Sequence, residues 1–301
     1  MNKIINILKP TGMTSHDVVS RVRKILNMKK VGHTGTLDPD ASGVLPICLG
    51  KSTKVSELIL NKDKSYICEL TLGITTDTYD SSGAIIKRID DFKLNQGDIE
   101  KAFESQRGEL DQLPPIYSAL KVNGKRMCDL VRSGKADQIV VKSRKVNIKQ
   151  LNILSINENK VMFYVECSKG TYVRSICYDI GEILGCGGHM SFLLRTSSGR
   201  FNLQNAITLE ELEEFHNNNK LENYLYDIDY VLNNFDRVNL NPSAEKYYCN
   251  GGIIDARRFV VDTTKSSERF VRVYSNDEFL GVGSLLERDN AMTLKSDKLF
   301  I

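Results

Sequence analysis

Gly32-His33-Thr34-Gly35-Thr36-Leu37-Asp38-Pro39-Asp40-Ala41-Ser42-Gly43 places three glycines, a proline, a histidine and two carboxylates in twelve residues. Glycine and proline at that density describe a tight loop that displays polar side chains. Such loops more often serve a site than a core, although composition alone is equally compatible with a solvent-exposed Asp-Pro turn. Just downstream, Gly50-Lys51-Ser52 looks like the end of a phosphate-binding loop. That pattern requires glycine at 45, where the chain has Leu45, so a nucleotide P-loop is excluded, and no dinucleotide fingerprint is present.

Upstream, residues 2–8 are apolar enough for a strand, and Lys9-Pro10-Thr11-Gly12 breaks it. From Ser15, read as an N-cap, Val18, Val19, Val22, Ile25 and Leu26 recur at helical spacing while Arg21, Arg23 and Lys24 fall elsewhere on the wheel. Val44–Leu49 and Tyr66–Leu72 read as strands, Asp80-Ser81-Ser82-Gly83 as a turn between strands, and Asn95–Ser105 as a helix. Residues 107–165 look strand-rich, interrupted by a short helix near Lys125–Arg132. Val173, Ile176, Cys177, Ile180, Ile183 and Leu184 repeat at spacings of three and four, which predicts a core-packed helix over 172–184. Phe270–Tyr274, Phe279–Val282 and Ala291–Leu294 are short β-type runs, the pattern of a small barrel-like module.

The 301 residues, 41% hydrophobic and 26% charged, suit a globular chain of one large or two smaller domains and exclude disorder as the main state. No apolar run reaches the ~18–20 residues of a membrane helix, and the start MNKIINILKP is too short in apolar residues for a secretory signal, so a cytoplasmic protein with no membrane partner is expected. Seven cysteines without a CxxC pair support neither a disulfide framework nor a zinc ribbon. Cys186-Gly187-Gly188-His189 comes nearest to metal spacing but has no second half-site. The net charge of +3 is unevenly laid: residues 1–60 carry +5, residues 107–149 carry +6, and residues 201–234 carry −6. The acidic stretch places an expected boundary near 235, giving domains 1–234 and 235–301.

Three further segments carry candidate chemistry. Arg174 falls in the first turn of the helix predicted over 172–184, where the helix dipole disfavours a cation by ~0.3–1 kcal/mol unless an anion is close. A carboxylate such as Asp38 or an RNA phosphate would answer, and snorkelling to water is the alternative. The run Leu113-Pro114-Pro115-Ile116-Tyr117-Ser118-Ala119-Leu120-Lys121 joins a rigid double proline to an aromatic and a lysine. Tyr66, following Lys62 and Lys64, is either an interior ring or a stacking platform.

KPTGMTSHDVV, GHTGTLDPDASGVLPICLG, LPPIYSALK, CSKGTYVRSI and LGCGGHMSFLLRT, in this order and at suitable separations, resemble the motifs of the bacterial TruB-type tRNA pseudouridine synthases, from about Ile4 to Thr196. The resemblance implies an α+β fold, a mixed sheet with flanking helices over 1–234, and a small β-rich PUA-like RNA-binding barrel over 235–301. It implies conversion of uridine 55 in the tRNA T-loop to pseudouridine by base flipping, glycosidic cleavage and C5–C1′ rejoining. It implies no cofactor or metal, tRNA as the partner, no obligate protein partner, and a monomer. Carried onto this sequence, Asp38 is the nucleophile or base, and Arg174 is its ion-pair partner, aiming it and holding it ionised. Tyr66 stacks on the flipped uracil, Tyr172 lines the pocket, His33 contacts the RNA beside the displaced base, and Leu193 matches a backbone contact. Lys9, Pro10, Gly32, Gly35, Tyr117 and Lys121 are read as structural support, and residues from about 121 to 149 as a clamp over the RNA arm. Two positions depart from the family pattern: Asp40 adds a second carboxylate to the signature loop, and Leu194 stands where a second basic residue often follows. The rival readings are an RNA-binding module without catalysis and the guide-RNA-dependent pseudouridylase of archaea and eukaryotes, which shares these motifs.

Overall fold

The computed structural model describes residues 1–122, 124–262, 270–288 and 291–301. Strand β1 (Ile4–Lys9) is almost wholly buried, and it stops at Pro10, which has no N–H to give a ladder. Helix α1 (Ser15–Ile25) is capped by Thr14 and not by Ser15. The Thr14 hydroxyl accepts the Asp17 N–H while the Asp17 carboxylate accepts the Thr14 N–H, a reciprocal capping box. Strands β2 (Val31–His33) and β3 (Ser42–Leu49) bracket the glycine-rich loop. After the short helix α2 (Ser56–Leu60) come β4 (Lys64–Leu72) and the hairpin of β5 (Ile74–Thr76) and β6 (Ile85–Arg88). Helix α3 (Gln96–Glu104), N-capped by Asn95, buries Ile99, Ala102 and Phe103.

Between 107 and 165 the chain is less continuously extended than its sequence suggests. Regular strand is confined to β7 (Gly108–Gln112), the two-residue pair β8 (Lys121–Val122) and β9 (Lys125–Arg126), then β10 (Arg144–Asn157) and β11 (Lys160–Cys167), with helix α4 (Met127–Arg132) in the middle. Pro114 and Pro115 remove two ladder donors from the segment after β7, which explains the interruption there. Helix α5 (Val173–Ile183), β12 (Gly188–Ser198), β13 (Phe201–Asn202), α6 (Leu209–Asn217) and β14 (Leu225–Tyr226) complete this part of the chain.

Ten of these strands form one mixed sheet in the order β14-β1-β3-β12-β4-β11-β10-β7, with β2 on β3 and β13 on β12. Strand β12 is the seam. It runs parallel to β3 where Leu194 and Arg195 meet Ser42 and Gly43, and antiparallel to β4 over almost its whole length. Helices α1 and α6 cover one half through Val18, Val22, Leu45, Ile47 and Leu212, while α3 and α5 cover the other through Phe103, Phe163, Ile176 and Ile180. The sheet therefore sets the glycine-rich loop, entering β3, beside the N-terminal end of α5.

The last part holds β15 (Asp236–Leu240), α7 (Pro242–Cys249), β16 (Ile254–Asp255), β17 (Phe259–Val261), β18 (Phe270–Ser275), β19 (Glu278–Arg288) and β20 (Ala291–Leu299). The six strands curl into a half-barrel in the order β16-β20-β19-β18-β15-β17. Helix α7, which the sequence reading does not contain, starts on Pro242, a residue pre-set for a first helical turn. Ile4, Val44, Cys48, Phe201, Phe235, Val282 and Phe300 form one apolar cluster that joins the half-barrel to the larger sheet.

Candidate active site

The loop between β2 and β3 is tied down on both sides of Asp38. Arg195 of β12 donates to the Gly35 and Thr36 carbonyls at 3.2 and 3.5 Å and to the Val44 carbonyl at 2.7 Å. The Ser15 hydroxyl, free because Thr14 takes the capping role, donates to the Leu37 carbonyl at 3.1 Å and accepts the Leu37 N–H at 2.8 Å. On the other side the Pro39 carbonyl accepts from Lys9 Nζ at 3.1 Å and from the Gly12 N–H at 2.9 Å. At the loop's end Gly43 (φ +116°) lies so close to β12 that a Cβ there would stand 2.2 Å from the Arg195 carbonyl oxygen, so only glycine fits. The segment Lys9–Ser15 is thus the lower jaw that fixes the aspartate loop.

Arg174 meets Asp38 side-on, Nε to Oδ2 at 3.1 Å and Nη2 to Oδ1 at 3.4 Å. It also binds Asp80 Oδ2 at 3.2 Å and the carbonyls of Thr78 and Tyr117 at 3.1 and 3.2 Å. The cation that sat awkwardly in the first turn of α5 therefore has five acceptor oxygens on four residues, and its side chain is only 7% exposed. Asp80 was legible in the sequence only as a turn residue. Its second oxygen is held by Thr78 Oγ1 and by the Ser82 hydroxyl and N–H. Tyr79 between them adopts φ +63°, a strained conformation for a bulky residue, supported by a stack on Tyr178 of α5 at 4.0 Å. That stack presents the Thr78 carbonyl and the Asp80 carboxylate to Arg174.

The electrostatics depart from the sequence expectation that Arg174 keeps Asp38 readily ionised. Burial raises the Asp38 carboxyl above the usual carboxylate range; Arg174 opposes this, and the charges of Asp80 and Asp40 add to it. The side chain is 38% exposed, yet it lies deep enough between protein walls for desolvation to outweigh the pairing. Asp40 is exposed and forms no ion pair among the described residues.

Asp38 and Arg174 lie in a cleft of about 560 Å³, a size suited to a small ligand, whose walls include Gly35, Tyr66, Tyr117, Tyr172 and Leu193. A larger hollow of about 910 Å³ lies by the start of α3, but its charged lining (Arg88, Asp90, Lys93 and Glu158) is exposed, so the chemistry is assigned to the smaller cleft. Tyr66 on β4 is buried, and its hydroxyl is pushed up to about 12 by burial, which the nearby Arg195 charge opposes. Tyr172 precedes α5, its backbone held by Gln112 through a reciprocal pair of bonds at 2.8 and 3.1 Å. Tyr117 donates to Asp77 at 3.3 Å.

Five of the twelve singled-out residues fall outside the cleft lining: His33, Lys9, Pro10, Gly32 and Lys121. His33 is half-buried at the end of β2, accepts the Gly35 N–H at 3.3 Å, and has its pKa lowered, first by burial and then by Arg195. Lys9 is fully buried, bonded to the Pro10 and Pro39 carbonyls, and lowered to about 8 by desolvation. Pro10 and Lys121 are exposed, and Gly32 is half-buried on β2. Cys186 and His189 are both buried, the histidine ring against the Ile74 carbonyl and the thiol against that of Gly187. Sequence reasoning missed Asp80, Arg195 and Lys64; the available signal for Arg195 was a lone cation directly after the apolar run Phe192-Leu193-Leu194, and for Lys64 its place two residues before Tyr66 on the same strand.

Residues 23–173 match the N-terminal domain model of the TruB family pseudouridylate synthases, and residues 174–233 match the tRNA pseudouridylate synthase B C-terminal domain model. The tRNA pseudouridine synthase B of Clostridioides difficile (strain 630) is 72% identical over 301 residues, covering 100% of both chains. That of Alkaliphilus oremlandii (strain OhILAs) is 47% identical over 290 residues, 96% of this chain and 95% of its own. Among solved structures, an H/ACA RNP bound to a substrate RNA containing 2′-deoxyuridine superposes with a TM-score of 0.76 at 26% identity, covering 99% of this chain and 85% of that one. A Cbf5-Nop10-Gar1 complex gives 0.75 at 28% identity, covering 99% and 85%. The half-barrel is accordingly PUA-like, and the chain belongs to the TruB family of pseudouridylate synthases, isomerases that make pseudouridine from uridine.

Proposed function

We propose that this protein isomerises uridine to pseudouridine at position 55 in the T-loop of tRNA, without a cofactor and as a stand-alone chain. The observation that carries this is the side-on Arg174–Asp38 pair in the cleft that Tyr66 and Tyr172 line. The target base lies in the loop's stack, so it must be extruded at a cost of a few kcal/mol. Stacking against Tyr66 offsets that cost at roughly 1–3 kcal/mol per base, while Tyr172 lines the pocket and His33 contacts the RNA beside the displaced base. Leu193 supplies the backbone contact to the base. Asp38, aimed by Arg174, serves as nucleophile or base: it adds to the base at C6, bonds ribose C1′ as the C1′–N1 bond breaks, or takes the C2′ proton. The uracil then turns, C5 bonds C1′, the C5 proton leaves, and N1 gains one, so the nucleotide keeps its composition. Lys9, Pro10, Gly32, Gly35, Tyr117 and Lys121 support this site, and residues 121–149 with the 235–301 domain grip the RNA backbone.

A guide-RNA-dependent mode is the second reading, supported by the likeness to H/ACA structures; full-length coverage of the bacterial relatives favours the stand-alone mode. Incubating the purified protein with unmodified tRNA and mapping pseudouridine by carbodiimide primer extension tests both. Product is expected at position 55 with the bare transcript, Asp38→Asn is expected to bind tRNA and make none, and Asp40→Asn is expected to stay active. An inactive Asp40→Asn with an active Asp38→Asn would overturn the assignment.

A further inference from the structure

Besides Arg174, two other buried cations line the cleft. Arg195 of β12 is 1% exposed and Lys64 of β4 is 8% exposed. They converge on Gly35, where a methyl-sized group would lie 3.6 Å from Arg195 Nη1 and 3.8 Å from Lys64 Cε. Lys64 Nζ donates to the Leu60 and Lys62 carbonyls at 2.8 and 2.6 Å, and Arg195 donates to the loop carbonyls of Gly35 and Thr36 and to the Val44 carbonyl of β3, with its charge acting on the hydroxyl of Tyr66, its cross-strand neighbour. Among the described residues no carboxylate lies within ion-pair distance of either. Asp63, next to Lys64 in sequence, is engaged by Lys149 at 2.6 Å.

Two like charges held together under cover, with only carbonyls and a phenol for partners, is a costly arrangement. Burial and the Arg195 charge bring Lys64 down to about 8, the mark of an ammonium short of compensation. Pinning the loop could be done by neutral donors. The surplus positive charge is instead suited to a negative charge that forms and disappears in the cleft.

We propose that Lys64 and Arg195 form an electrostatic well for the negative charge that develops on the uracil ring, Lys64 directly and Arg195 through the Tyr66 hydroxyl it polarises. This rests on the pseudouridine synthase reading. When the C1′–N1 bond breaks heterolytically, its electron pair stays on the uracil, spread over N1 and the carbonyl oxygens, and C1′ is left electron-poor. The pair is discharged when C5 bonds C1′, the C5 proton leaves and N1 is protonated. If Asp38 instead adds to C6, a ring π pair moves through C5 onto O4, and the ring is again the anion. Each route places one transient negative charge on the base beside Tyr66. Fixed cations aimed at developing charge lower the barrier without reorganising. Arg195 is in this sense a positioning residue, since it acts through Tyr66.

The test measures single-turnover rates and tRNA dissociation constants for Lys64→Met, Lys64→Arg and Arg195→Lys. Full-length unmodified tRNA is used, carrying uridine or 5-fluorouridine at the target position. Fluorine withdraws electron density and stabilises the ring anion by itself, and cleavage of its glycosidic bond is read as loss of 5-fluorouridine from nuclease digests. Lys64→Met is expected to lose roughly 10- to 100-fold in rate on uridine with the dissociation constant within about twofold, and to recover most of that loss on 5-fluorouridine. Lys64→Arg and Arg195→Lys, which keep the charge, are expected to retain more activity than Lys64→Met. A Lys64→Met protein as fast as wild type, equally impaired on both substrates, or impaired in affinity instead of rate would overturn the inference. Wild type that makes no pseudouridine on uridine tRNA would instead refute the reading beneath it.

Discussion

Gly43→Ala tests how the aspartate loop is held. A Cβ at this position would lie 2.2 Å from the Arg195 carbonyl oxygen and 2.7 Å from its nitrogen, both backbone atoms that cannot swing aside. The positive φ adds about 1–2 kcal/mol of strain for an L-residue. Forcing β3 and β12 apart adds about 1–3 kcal/mol, by analogy with overpacked cores. At roughly 2–4 °C per kcal/mol for chains somewhat shorter than this one, a melting-temperature drop of about 4–20 °C is expected. Gly134→Ala is the control, with φ +70° and nothing within 4 Å of its Cβ, so it should show the φ strain alone. Because Gly43 closes the loop that carries Asp38, displacement of about 1 Å should also lower the single-turnover rate by roughly a hundredfold. Differential scanning fluorimetry and rapid-quench kinetics read the two effects. If Gly43→Ala melts no lower than Gly134→Ala and reacts at the wild-type rate, the close approach of β3 to β12 does not hold the loop.

Asp80→Asn removes one of the two carboxylates on Arg174 and should lower the single-turnover rate by about 10- to 100-fold with little change in tRNA affinity, measured by filter binding. The rate should fall with decreasing pH through a value above the ordinary carboxylate range, because Asp38 must be ionised and burial raises its pKa. Asp40→Asn, removing a nearby negative charge, should move that acid limb down. If the two basic stretches neutralise about four phosphates, tRNA affinity should drop by roughly a hundredfold between 50 and 200 mM salt, and a flat response in filter binding would refute the footprint.

Local pattern carried the elements and the loop. The periodicity of Val173 to Leu184 makes an amphipathic helix wherever it lands, and Lys9-Pro10 ends a strand by lacking an N–H, so β1 and α5 were readable in advance. The segment after β7 was not, since its proline pair breaks a strand that the surrounding apolar residues suggest. The Asp38 motif was readable because its glycines and its aspartate are contiguous in the chain. Arg174 announced itself as a cation in the first turn of a helix.

What the sequence determined by itself was therefore the family, the order of elements, the loop that displays Asp38, and the arginine that needed an anion. Tertiary structure alone decided which groups share the cleft. Strand β12, paired to β3 on one side and β4 on the other, brings Arg195 beside Tyr66, Lys64 and Gly35, residues separated by 129 to 160 positions along the chain. It also decided the protonation balance of Asp38. Pairing with Arg174 is a contact between two named residues and could be foreseen. Desolvation is the summed effect of every segment that walls the cleft, and it exists only once the chain has folded.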